Sequence, residues 1–212
     1  FDHVRVQGRS HEKIAVTHLF ANLLKDSSMK SFTLTVNGKS IRNEYVVDIN
    51  GENSKAHLGG AAVGDRGFSQ DDTIFVSHNK PNCESRQVFK KVLRNGAKGV
   101  FQGKILVKDG AQKTDGYQIS QGLMLDDDSS FLAKPELEIY ADDVICSHGS
   151  TCGEIDNAAL FYLTSRGIPM AEAQDMLVLA FLNDAIEEIS DESIRTIIGS
   201  RLKDWMVKRH KS

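Results

Sequence analysis

The sequence is short of several things, and each shortage excludes a class of protein. Of its 212 residues three are cysteines, three are prolines and one is tryptophan, and aromatic residues make up 7%. An odd cysteine count suits free thiols in a reducing compartment better than a disulfide framework. Scarce aromatics argue against an immunoglobulin-like sandwich built on a large aromatic core. No apolar run approaches the roughly 18 residues that a membrane-spanning helix needs. Cys-x-x-Cys, Gly-x-x-x-x-Gly-Lys-Ser/Thr, Gly-x-Gly-x-x-Gly and Gly-x-Ser-x-Gly are all missing. Nucleotide hydrolysis, dinucleotide binding and elbow-type hydrolysis therefore have no support, and any ATP must be bound by another chain. Lys+Arg 26 against Asp+Glu 29 gives a net charge of −3, without the basic footprint of a nucleic-acid binder. The opening Phe1-Asp2-His3-Val4-Arg5-Val6 lacks the order of a secretory signal and reads as a strand entered part-way through a larger protein.

What is present is unevenly distributed. Fourteen of the 17 glycines fall in residues 1–150, while the last 62 residues carry the whole −3 charge. The Gly-rich part is built of short β-branched runs: Phe32–Val36, Tyr45–Ile49, Thr73–Val76, Lys104–Val107, Leu123–Leu125, Leu137–Tyr140 and Val144–Cys146. Asn37-Gly38, Asn50-Gly51, Asn95-Gly96 and Asp109-Gly110 punctuate them as turns. Val16–Leu24 is the best helical candidate in this part. Many short strands with few helices leave a sandwich, a barrel or a β-solenoid. The 13 residues from Asn37-Gly38 to Asn50-Gly51 suit a strand plus a return around a coil, and Gly59-Gly60-Ala61-Ala62 suits a solenoid corner. No strict period is visible.

After residue 150 the pattern is helical. Ile155–Leu163 is apolar at helical spacing, Gly167 stops it and Pro169 starts the next helix. That helix carries one stripe of Ala173, Met176, Leu177, Ala180, Phe181 and Ala185 and a second of Val178, Leu182, Ile186 and Ile189. A third helix presents Ile194, Ile197, Ile198, Leu202, Trp205 and Met206. The apolar surface of the second helix is wider than two neighbours require, so it either packs on the end of the β part or receives a partner.

Residues that could carry chemistry are few. In Cys146-Ser147-His148 the thiol and imidazole lie two apart and project from one face of an extended strand. Soft thiolate and imidazole suit iron or zinc, although two ligands do not complete a site. The alternative is a buried structural cysteine beside a polar histidine. His78-Asn79-Lys80-Pro81-Asn82-Cys83 is a second histidine–thiol pair, and Cys152 either joins the first pair or is incidental. His3, His11 and His18 match no metal-binding repeat, and Lys208-Arg209-His210-Lys211 reads as a solvated end.

The segment Lys134–Gly149, ending in Cys-Ser-His-Gly, strongly resembles the SufD branch of the SufB/SufD family of iron–sulfur cluster assembly scaffolds. Ile41–Glu44, His78–Ser85, Gly99–Gly103, Ala111–Asp115, Leu160–Leu163 and Ser165–Ile168 carry the same resemblance, which runs over essentially the whole chain. It implies a mainly β fold, a right-handed parallel β-helix core over residues 1–152 with a small helical domain over 153–212, and an N-terminal region that this sequence lacks. It implies pairing with the homologous SufB through the β-helix, docking of the ATPase SufC on the helices, and a nascent cluster near the SufB interface. On this resemblance the chain is a scaffold and not an enzyme, holds no tightly bound cofactor, handles iron or a nascent Fe–S cluster transiently, and touches neither nucleic acid nor membrane. It would reside in a bacterial cytoplasm, or in the plastid stroma of a plastid-bearing eukaryote.

Carried over by position, His148 falls on the family's Cys-Ser-His-Gly histidine, with Cys146 as its same-face neighbour. Leu160, Phe161, Arg166, Leu177 and Phe181 fall in the expected SufC-docking region. Ile145 stands where family members often have Lys, and Cys152 replaces a small non-thiol residue. Cys-Ser-His-Gly and the lack of a cysteine-rich stretch favour the SufD branch over SufB. A β-solenoid polysaccharide enzyme would need carboxylates clustered on one strand face, whereas extended Asp142-Asp143 would point to opposite faces. A cupin-like metal site would need converging histidines, and these are scattered. The open edges of a β-helix also make a homodimer of the isolated chain an expectation.

Overall fold

A computed structural model describes residues 1–7, 10 and 12–209, and the side chains through residue 206. His11, His210 and Lys211, and the side chains of Lys208 and Arg209, lie outside it. Eleven strands precede three helices: β1 (Asp2–Gln7), β2 (Ile14–Leu23), β3 (Ser28–Val36), β4 (Ser40–Ile49), β5 (Lys55–Gly64), β6 (Ser69–His78), β7 (Glu84–Leu93), β8 (Lys98–Val107), β9 (Thr114–Met124), β10 (Ser130–Ile139), β11 (Val144–Gly153), α1 (Asn157–Ser165), α2 (Met170–Ile186) and α3 (Glu192–Arg209).

Odd-numbered strands form one parallel sheet, β1-β3-β5-β7-β9-β11, and even-numbered strands a second, β10-β8-β6-β4-β2. Each strand therefore pairs with the next but one in sequence, and the chain winds as a β-solenoid whose turns take about 30 residues. Turn length varies from rung to rung, which hides the period from the sequence. Successive side chains alternate between the lumen and the outside, so each rung contributes one inward and one outward set.

Conformation at the corners repeats more faithfully than sequence does. Asp26, Asn53, Asn82 and Lys113 each adopt φ 58°, one per turn at the same corner, and each precedes a small polar residue: Ser27, Ser54, Cys83 and Thr114. Ser54 Oγ donates to Leu24 O (2.6 Å), Cys83 Sγ to Gly51 O (3.2 Å) and Thr114 Oγ1 to Ala111 O (2.8 Å). An asparagine ladder ties neighbouring turns: Asn79 Nδ2 donates to Asn50 Oδ1, and Asn50 Nδ2 to Asn22 Oδ1, each at 2.8 Å. The left-handed positions confirm turns at Asn37-Gly38 and Asn95-Gly96, Asp109-Gly110 is a turn closed by Ala111 N donating to Lys108 O (2.9 Å), and at Asn50-Gly51 the left-handed residue is Asn53 instead.

Two readings of the β part are corrected. Val16–Leu24 is not a helix: β2 spans most of it, with Leu19, Ala21 and Leu23 facing in and His18, Phe20 and Asn22 facing out. Alternation at period two, pinned by pairing to β4, overrides the helical propensity of the run. Gly59-Gly60-Ala61-Ala62 is not a corner but the middle of β5. A Cβ on Gly60 would sit 2.6 Å from the Phe89 ring, and one on Gly59 3.0 Å from Phe32, so the small residues make room for aromatic neighbours.

The helices fold back on the outer face of the odd-numbered sheet, not on the end of the solenoid. Val178, Leu182, Ala185, Ile186 and Ile189 share one buried cluster with Phe32, Leu34, Val63, Val88 and Val92, and α3 adds Ile198, Leu202, Trp205 and Met206. The second stripe of α2 is thus buried together with Ala173 and Ala185 of the first, while Met176 is exposed. The outward row of β7, with Arg94 just beyond its end, clamps this layer. Arg86 Nε donates to Glu188 Oε1 (2.8 Å), Lys90 pairs with Asp184, and the Arg94 guanidinium lies over the Trp205 ring. Burial of this apolar face, not helix propensity, holds α2 and α3 in place. Among the described residues, no helix is long and apolar enough to cross a membrane.

Candidate functional site

Both sheets end at unpaired strands on the side of the solenoid reached last. Among the described residues β11 pairs with β9 alone and β10 with β8 alone, so each offers one free row of backbone donors and acceptors. Leu132, Tyr140 and Ile145 are exposed along this rim. Such an edge is a template for another strand.

Register places the candidate residues. Cys146 lies beside Gly116 and His148 beside Gln118, and Gly116 and Gln118 are both buried, on the inward row of β9. Cys146 and His148 therefore share the lumen-facing row of the last rung, as their spacing predicts. Their surroundings differ. Cys146 is half-buried against Ile105, Val107, Ala111 and Ala141, and its sulfur occupies the notch left by Gly116, where a Cβ would be 3.1 Å away. Burial, with a smaller contribution from Asp115, raises the Cys146 pKa above the ordinary thiol value, so the thiol stays protonated in the chain by itself. His148 is exposed at the mouth. Cys152, on the same row, is also exposed, and its Sγ lies 3.7 Å from Met124 Sδ. All three cysteines are free.

The second histidine–thiol pair is structural. His78 is fully buried with Nε2 2.8 Å from Ser85 Oγ, and burial lowers its pKa to about 4, which keeps the ring neutral. Cys83 fills the corner position that Ser54 and Thr114 fill on neighbouring turns. No group of three or more His, Cys, Asp or Glu among the described residues could hold a metal ion. His148 and Cys146 therefore offer at most two ligands of a shared set.

Positions proposed for docking divide in two. Phe161 is 74% exposed, and Arg166 is exposed with its guanidinium 3.7 Å from the Tyr162 ring centroid; Leu160 is half-buried. Asp156 caps α1 by accepting from Ala158 N and Ala159 N, and Gly167 ends it at φ 87°. Leu177 and Phe181 are half-buried on α2, and Lys90 Nζ lies 4.7 Å from the Phe181 ring centroid, so that ring already serves the contact with the sheet.

Sequence reasoning missed a polar network inside the lumen. Lys91 and Asp72, both buried, pair at 2.8 Å; Lys91 Nζ also donates to Val100 O, and Asp72 accepts from Asn43 Nδ2. Gln118, beside His148, was missed too. Each sits inside a strand, where the only available signal was a polar residue at an inward phase, and that phase is readable only once the register is known.

The family model for the SufBD core domain of the SUF system for FeS cluster assembly matches residues 1–181. The iron-sulfur cluster assembly protein SufD of Escherichia coli is 36% identical over 200 residues, covering 91% of this chain and 47% of that protein. A SufBD family protein of Mycobacterium leprae is 30% identical over 191 residues, covering 85% of the chain and 49% of its own length. SufD of Bacillus subtilis is 27% identical over 171 residues, covering 81% and 39%. The chain spans about half the length of the curated relatives it matches.

Proposed function

The chain belongs to the SufB/SufD family of the SUF iron–sulfur cluster assembly system, and on that premise we propose that it is a SufD-type scaffold subunit and not an enzyme. Residues 1–152 form its pairing module, which joins SufB end to end through β10 and β11. Residues 153–212 form its helical module, which receives SufC, the subunit that hydrolyses ATP. Iron or a nascent cluster is cargo at the joint. His148 offers an imidazole nitrogen to it, Cys146 supports that histidine or adds a thiolate, and SufB supplies the remaining ligands. On α1 the exposed Phe161 and Arg166, with Leu160 beneath them, form the centre of the SufC surface, flanked on α2 by Leu177 and Phe181. Neither nucleic acid nor membrane takes part. Free thiols suit a bacterial cytoplasm or a plastid stroma.

The observation that carries this reading is that His148 and Cys146 stand on the inward row of a strand whose other edge is free. A strand added there completes the lumen around them, so partner pairing and ligand completion become one event. In the absence of SufB the same edge would accept a second copy of the chain.

Charges on the rim should block pairing without disturbing the solenoid, because Leu132 and Tyr140 are exposed. The Leu132→Glu/Tyr140→Glu double variant is expected to keep its melting temperature, run as a monomer in light scattering and fail to co-purify with SufB. Retention of SufB by that variant would overturn the end-to-end reading.

A further inference from the structure

The lumen beneath His148 holds two side chains whose polar ends are unaccounted for. Along the odd-numbered sheet, Leu58, Gln87, Gln118 and His148 are register neighbours on successive rungs. Gln87 and Gln118 are fully buried. Gln118 Nε2 donates to Gly103 O across the lumen (3.3 Å), while its Oε1 has no hydrogen-bond partner, and neither amide atom of Gln87 has one. Gly103 is what admits the Gln118 amide: a Cβ there would stand 2.5 Å from Gln118 Oε1. A buried acceptor left without a donor is costly. Leucine or methionine at this position would avoid that cost, so the retained oxygen calls for a donor that the open-ended chain does not yet supply.

The neighbours on either side are already satisfied. Cys146 fits the notch at Gly116, and Ser120 Oγ donates to Ser150 Oγ (3.2 Å). His148 is the inward residue directly beyond Gln118, and its imidazole is still in solvent. We propose that Gln118 is the positioning residue for His148: when a partner strand closes the end of the solenoid, a ring N–H of His148 donates to Gln118 Oε1. That bond fixes the ring's orientation and tautomer and leaves the other nitrogen, as a neutral lone pair, facing the joint. Ligand histidines are commonly held this way, with the second nitrogen anchored on a carbonyl or carboxylate oxygen. The proposal rests on the reading of His148 as the iron-handling group.

The test uses the complex of this chain with SufB and SufC, titrated anaerobically with ferrous iron alone. Gln118→Met keeps the volume and removes the acceptor. It is expected to lower iron affinity about 10- to 100-fold, as loss of an outer-shell partner does, while the melting temperature of the isolated chain stays level or rises. His148→Ala is measured in parallel, with the double variant. In the His148→Ala background Gln118→Met should cost nothing further, a coupling that a merely structural role would not produce. If His148→Ala weakens iron binding and Gln118→Met does not, or if the two losses simply add, the positioning role is overturned and the iron reading stands. If His148→Ala itself leaves affinity unchanged, the iron reading falls and the positioning role falls with it.

Discussion

At the scale of single residues, two histidines of one sequence have opposite fates. His78 is buried, neutral and bonded to Ser85, while His148 stands at an open mouth. Burial lowers the His78 pKa from 6.5 to about 4. Unfolding lets the ring return to 6.5, so below that pH the unfolded chain takes up a proton that the folded chain refuses. His78 therefore leaves stability untouched above pH 6.5 and costs progressively more as pH falls towards 4, with a slope of up to about 1.4 kcal/mol per unit. Urea unfolding between pH 7 and 4.5 should lose stability in the native sequence and lose less in His78→Gln. Parallel curves for the two would contradict the assignment. Both histidine–thiol pairs were legible in the sequence as pairs, but their difference was not. Cys83 is decoded only by its corner, where it does the work of Ser54 and Thr114, and Gln118 only by its register beside His148.

At the scale of elements, the sequence was readable where local chemistry decides and misleading where the solenoid decides. Gly167 and Pro169 mark the end of α1 and the start of α2 because capping is local. Strand β2 is extended because its inward row of Leu19, Ala21 and Leu23 and its pairing to β4 select that form. The small residues of β5 resemble a corner, yet their cause is two aromatic rings on the rungs directly above and below, Phe32 on β3 and Phe89 on β7. The wide apolar surface of α2 divides between the sheet and solvent, because the face carrying Val178 and Leu182 covers β5 and β7 while Met176 does not. On the proposed reading, what remains exposed on α1 is the surface for SufC. Phe161→Asp should therefore abolish SufC association in a pull-down while leaving circular dichroism and the melting temperature unchanged. A variant that still binds SufC would move the docking surface elsewhere.

At the scale of the whole molecule, the glycine-rich neutral part and the acidic tail are a solenoid and the helical layer clamped to its flank. Arg86 and Lys90 of β7 and Arg94 just beyond its end make that clamp, two pairings away from β11. A parallel solenoid satisfies its backbone along the axis and leaves the outer edge of its last rung unsatisfied. On the C-terminal rim the free edge, the exposed apolar side chains and the only inward thiol–imidazole row among the described residues coincide. The fold class follows from the short strands and turn residues; the coincidence does not, because it depends on which strand happens to be last. The measurement that tests it most directly is iron and sulfide content of the complex formed with SufB and SufC, purified anaerobically with His148→Ala in this chain. The expected complex has unchanged stoichiometry and markedly less cluster; an intact complex carrying the full cluster content would remove His148 from cluster handling.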